Sequence, residues 1–150
     1  MLVVALAACS NLPPGNANYA VMPESTLSAM LKQCSRSAPH ASGSWTPTRE
    51  QLGELEQHLP QLAVLAGRQG ISPHDVNPEA TFRQYLGVIV DNRRLIYVNA
   101  IAASTLKLPN FSDNPRINPV IICDGGSAFW GVLYDPDTKT FSQLDANGAI

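Results

Sequence analysis

Apolar positions follow two periods along this chain, and the change between them divides it. Leu52, Leu55, Leu59, Leu62 and Ala66 recur at spacings of three and four, with Glu50, Glu54, Gln57 and His58 off the stripe. Such a stripe predicts an amphipathic helix with one buried face. Pro47 suits a helix start, and Thr48 with Gln51 fits a capping box. Pro60 removes one backbone hydrogen bond and crowds the carbonyl of Glu56, so a kink or break is expected near Leu59, with an end at Gly67. Upstream, Leu27, Met30, Leu31 and Cys34 share one helical face, which predicts a shorter helix opening at Pro23-Glu24-Ser25 and aims Cys34 inward.

From Gln84 the period falls to two. Residues 85–90 and 95–101 flank Asp91-Asn92-Arg93-Arg94, and residues 128–134 and 139–144 flank Asp135-Pro136-Asp137-Thr138. Both patterns predict β-hairpins. The continuous apolar run over 119–123 predicts a strand buried on both faces. The fold class expected is α+β, with N-terminal helix or helices packed on one face of a four- to five-stranded antiparallel sheet. Residues 10–22 have no apolar period and hold Pro13-Pro14-Gly15, which predicts a flexible tether. The connection over 102–118 exceeds the usual loop length and holds Leu106, Leu108 and Phe111. Phe111 and Leu108 are candidate interface anchors there, the competing reading being that they fold back to cap the sheet.

Charge narrows the partners. Only 15% of residues are charged, net charge is −2, and Arg93-Arg94 is the single basic doublet. That balance argues against nucleic-acid binding. The doublet sits at a hairpin tip, which makes Arg93 and Arg94 candidate interaction residues.

At the N-terminus, an apolar stretch leads into Leu6-Ala7-Ala8 and stops at Cys9, with Ser10 following. This pattern resembles the lipobox of bacterial lipoprotein precursors. The resemblance implies a short signal segment over 1–8 and lipid carried on Cys9; with the patterning above, the chain then divides into a tether over 9–22 and one α+β domain over 23–150. It implies an envelope protein anchored in the membrane through its N-terminal lipid; Ser10 after the cysteine implies the outer membrane, facing the periplasm. With Cys9 assigned to lipid, Cys34 and Cys123 remain, and an oxidising envelope favours pairing them. Cys123 as a nucleophile is the alternative, with no neighbouring histidine in sequence to support it.

Candidate chemistry is sparse. The segment Asp124-Gly125-Gly126-Ser127 lacks the spacing of a nucleophile elbow and of a phosphate loop, and predicts a glycine turn between strands. His40, His58 and His74 fall in no metal-ligand spacing. Asp124, Ser127 and His74, the last beside Asp75, are the residues from which a hydrolase site could be assembled. Asp135, Asp137 and Lys139 alternate like a calcium loop but lack glycine at its sixth position. No cofactor is expected. The leading expectation is a non-enzymatic module that binds another envelope protein, as inhibitor or immunity protein or as assembly factor. Against it stand an envelope hydrolase and a lipoprotein that binds a small apolar ligand near Trp130 and Tyr134.

Overall fold

The computed structural model describes residues 17–149; the signal segment, Cys9 and most of the expected tether lie outside the described residues. The chain runs β1 (Tyr19–Val21), α1 (Leu27–Met30), β2 (Gly43–Trp45), α2 (Arg49–His58), α3 (Leu62–Arg68), β3 (Thr81–Val90), β4 (Arg93–Ala102), β5 (Phe129–Asp135) and β6 (Thr140–Ala146). The fold is α+β, built on a six-stranded mixed sheet.

Local chemistry sets the helix ends. The Thr48 hydroxyl accepts from the Gln51 N–H at 3.2 Å, and the Gln51 side chain accepts from the Thr48 N–H at 2.9 Å. This reciprocal box satisfies two donors that a helix start leaves free. At Pro60 the chain tightens into a 3-10 turn, Leu59–Gln61, which joins α2 to α3. The missing N–H of proline is tolerated at the start of that turn.

The sheet runs β1-β3-β4-β5-β6, with β2 also pairing β3. β1 and β2 share one edge of β3: Tyr19 to Val21 lie parallel to Arg83 to Tyr85, and Gly43 to Trp45 lie antiparallel to Ile89 to Gly87. β3 and β4 pair over their full length through the two-residue turn Asp91-Asn92, whose φ values are 49° and 60°. Positive φ at both positions suits the twist of a tight hairpin, and Asn and Asp tolerate it. Alternation along the strands then divides the apolar residues. Tyr85, Ile96, Val98, Ala100, Trp130, Val132 and Tyr134 share a cluster with Leu52, Leu55, Leu59, Leu62 and Ala66. Leu86, Val88, Leu95, Tyr97, Ile101, Phe129 and Leu133 share a second cluster with Met22, Met30 and Val120.

Four expectations need correction. The sheet has six strands and is mixed rather than purely antiparallel, because β1 pairs in parallel. β1 comes from the expected tether, where Ala20 and Met22 are buried; three residues are too few to display a period. The run over 119–123 is not a strand: Val120 is buried, but its N–H and carbonyl bond side chains of Gln84 and Asn99. Finally, α1 stops at Met30, so Cys34 lies beyond the helix and is exposed, as is Cys123.

Candidate functional site

The structure brings Ser127 to the adjacent pair His74-Asp75, with 52 positions between Ser127 and Asp75. Ser127, in the turn before β5, donates to Asp75 Oδ2 at 2.5 Å. His74 Nδ1 lies 3.7 Å from Asp75 Oδ1, with 82% of the imidazole side chain exposed. A cleft of about 450 Å³ lies alongside, lined by His74, Asp75, Ala80, Ser104, Lys107 and Ala128 among others. The wiring differs from a catalytic triad, in which imidazole stands between the hydroxyl and the carboxylate. Here the carboxylate stands in the middle, and a carboxylate is a far weaker base than imidazole. Asp75 also accepts Trp130 Nε1–H on its backbone oxygen at 2.9 Å. Asp75 therefore latches the 72–77 loop onto the start of β5.

Asp124 does not join this group. It begins a turn in which Asp124, Gly125 and Gly126 all have positive φ, 67°, 83° and 63°. A Cβ on Gly125 would sit 2.5 Å from the Phe129 ring, so the glycine is required by space as well as by backbone angle. Next to the turn, Cys34 and Cys123 form a disulfide with Cα atoms 5.3 Å apart. Cys123 is thus a bonded partner, and its reading as a nucleophile is set aside.

A buried polar network, which sequence reasoning missed, holds the end of the long connection. Gln84 Nε2 donates to the carbonyls of Pro115 and Asn118, each at 2.7 Å, while its Oε1 accepts from Val120 N–H and Asn99 Nδ2. Asn99 also donates to Val120 O at 2.8 Å, and Asn147 donates to the carbonyls of Ile122 and Asp124. Arg36 joins the two asparagines, donating to Asn147 Oδ1 at 2.6 Å and Asn99 Oδ1 at 2.5 Å, with Tyr97 Oη at 3.3 Å. All four hub side chains are buried. The network supplies the backbone bonds that residues 115–124, lacking a strand partner, would otherwise leave unmet. The available signal was Asn99, a polar side chain between Val98 and Ala100 inside an apolar strand; Gln84, next to the charged Arg83, carried no such signal.

A second missed cluster sits beside β1. Arg83 is buried, pairs with Glu56 and donates to Tyr85 Oη at 2.9 Å; Tyr85 in turn donates to Glu56. Burial pushes the Tyr85 phenol well above its usual value, opposed by the charge of Arg83 and reinforced by Glu56, so it stays a donor. Glu56 also lines a groove of about 550 Å³ with Leu59, Pro60, Pro73, Val76 and Pro78.

The candidate interaction residues divide between the ends of the sheet. Arg93 and Arg94 belong to β4 rather than to the hairpin turn. Arg93 pairs with Asp135, and the Arg94 guanidinium lies 5.5 Å over the Trp45 ring. Leu108 is 51% exposed, whereas Phe111 is partly buried and packs on the second cluster. Ile117, not singled out from sequence, is 64% exposed. Trp130 and Tyr134 are fully buried in the first cluster, which makes their strand face core.

Among the described residues, no group of three or more His, Cys, Asp and Glu could hold a metal, and no helix is long and apolar enough to cross a membrane. No protein-family model, curated protein or solved structure matches the chain.

Proposed function

We propose that this chain is a lipid-anchored protein of the bacterial envelope that works by binding another envelope protein. The observation that carries the reading is the disulfide between Cys34 and Cys123, both exposed. An accessible disulfide persists where the surroundings are oxidising. That is the compartment implied by the likeness of Leu6-Ala7-Ala8-Cys9 to a lipobox.

The mode of action follows from what is left free. In this reading α2 and α3 cover one face of the sheet, while α1 and the 103–128 connection cover the other, as their shared clusters support. Binding then falls to the ends of the molecule. The described chain joins the sheet at the Thr81 end, where Asn18 O accepts from Arg83 N–H at 3.0 Å. The Asp91-Asn92 turn and the Asp135–Thr140 turn stand at the opposite end. With β3 ten residues long, that end projects about 30 Å farther from the anchor. It presents Arg93 and Arg94 already held, against Asp135 and on Trp45. Side chains ordered before binding lose less entropy on association, and arginine is favoured at interface hot spots. The distal tip is the partner-facing end.

A hydrolase is the second reading, favoured by the Ser127–Asp75–His74 group beside its cleft. One measurement tests the anchor that both readings share, and a second separates them. Cys9→Ser should move the protein from membrane to soluble fractions of the native host; a normally folded variant that stays on membranes contradicts the anchor. A serine-reactive fluorophosphonate should leave the wild type unlabelled; labelling lost in Ser127→Ala would establish the hydrolase instead.

A further inference from the structure

Leu108, Ile117 and Val64 are the large apolar side chains most exposed among the described residues. Leu108 and Ile117 both belong to the connection that leaves the sheet at Ala102 and returns at Phe129, the end where the N-terminal chain arrives. Val64 sits on α3 beside Thr140 and Phe141, toward the far end.

The connection and the N-terminal chain are joined directly. Arg116 Nη2 donates to the carbonyl of Ala17 at 2.8 Å and its Nη1 to that of Tyr19 at 3.4 Å, while its guanidinium lies 5.2 Å over the Phe82 ring. Ile117 is the next residue. Ala17 stands eight residues from Cys9, so Ala17 lies within about 28 Å of a lipidated Cys9 even with that segment fully extended, and the 116–117 turn is one arginine side chain beyond it.

We propose that Leu108 and Ile117 dock into the surface of the bilayer that holds the anchor, fixing the domain upright with its distal tip facing away. This rests on the lipid-anchor reading above. Each aliphatic side chain follows a cation, Lys107-Leu108 and Arg116-Ile117, which suits a lipid interface where acyl chains meet anionic headgroups. Two such side chains alone partition weakly. A short tether changes that, because it holds the turn at an effective concentration on the order of millimolar beside the surface. Rigidity helps as well: Gln84 fixes the Pro115 and Asn118 carbonyls on either side of Ile117, so docking orders little that is not already ordered.

The test uses the lipidated full chain with its disulfide intact, reconstituted in vesicles of phosphatidylethanolamine and phosphatidylglycerol. An environment-sensitive NBD label is placed in turn at Ile117→Cys, Leu108→Cys and Val64→Cys, all exposed positions. Docking predicts that labels at 117 and 108 shift to the blue and are quenched by doxyl lipids, while the label at 64 does neither. Proteins that float with the vesicles but show three identical, unquenched spectra overturn the docking proposal and leave the anchor standing. Lipid-processed protein that fails to float overturns both. Ile117→Asn should weaken quenching at 108 if the two residues insert together; unchanged quenching at 108 contradicts joint docking.

Discussion

Asn99 sits in a strand interior of the kind usually filled by valine or isoleucine, and its amide bonds Arg36, Gln84 and Val120 O. Asn99→Leu keeps the branching at Cγ, adds some bulk and removes those bonds. It leaves a buried guanidinium and a buried carbonyl short of partners, at a cost of about 3 kcal/mol. Urea denaturation should show that loss with Leu108→Ala, at an exposed site, as a near-neutral control; equal stability of the two variants would contradict the role given to the network. Asp135 makes the fold sensitive to acid. Burial pushes its carboxyl up, but N–H bonds from Asp137 and Thr138, the Thr138 side chain and the Arg93 charge outweigh burial and hold it below the ordinary 3.8. A carboxyl lowered by folding stabilises the native state above its unfolded value, and that stabilisation disappears as pH falls through the folded one. As pH falls through the ordinary 3.8 and below, the wild type should therefore lose more stability than Asp135→Asn. Parallel loss in both proteins would contradict the assignment.

Gly87 shows how one position decides an element. A Cβ there would fall 2.0 Å from the Trp45 carbonyl oxygen, a clash with backbone that no rotamer relieves. Gly87→Ala should detach β2 and withdraw Trp45 Nε1–H from the carbonyls of Val88 and Leu95, which it reaches at 3.2 Å and 3.0 Å. Red-shifted tryptophan emission with loss of cooperativity is the expected result, and a native spectrum with native stability would refute it. Elements specified by near neighbours were legible in the sequence: the Thr48–Gln51 box, the break at Pro60 and both hairpins. Each depends on residues only a few positions apart. Elements specified at a distance were not. β1 is three residues long and exists because Arg83 to Tyr85 offer an edge, while the 119–123 run gave up strand pairing to side chains 21 to 36 residues upstream. The Ser127–Asp75 contact spans 52 positions and the Arg36–Asn147 contact 111, separations at which no spacing rule operates.

The whole molecule is polarised along its strands. One end gathers the N-terminal chain, the 103–128 connection and the Cys34–Cys123 bridge; the other carries two tight turns tied by the Arg93–Asp135 pair. Such a division suits a protein fixed at one end and read at the other. A partner bound at the tip would meet charged side chains held by Asp135 and Trp45 rather than loose ones. The decisive comparison is a pull-down from solubilised native envelope using three soluble baits: Cys9→Ser alone, Cys9→Ser with Arg93→Ala and Arg94→Ala, and Cys9→Ser with Ile117→Asn. A stoichiometric partner retained by the first and third baits and lost from the second is the result predicted. Equal recovery by all three folded baits, or loss only with Ile117→Asn, would contradict the assignment of the distal tip as the binding end.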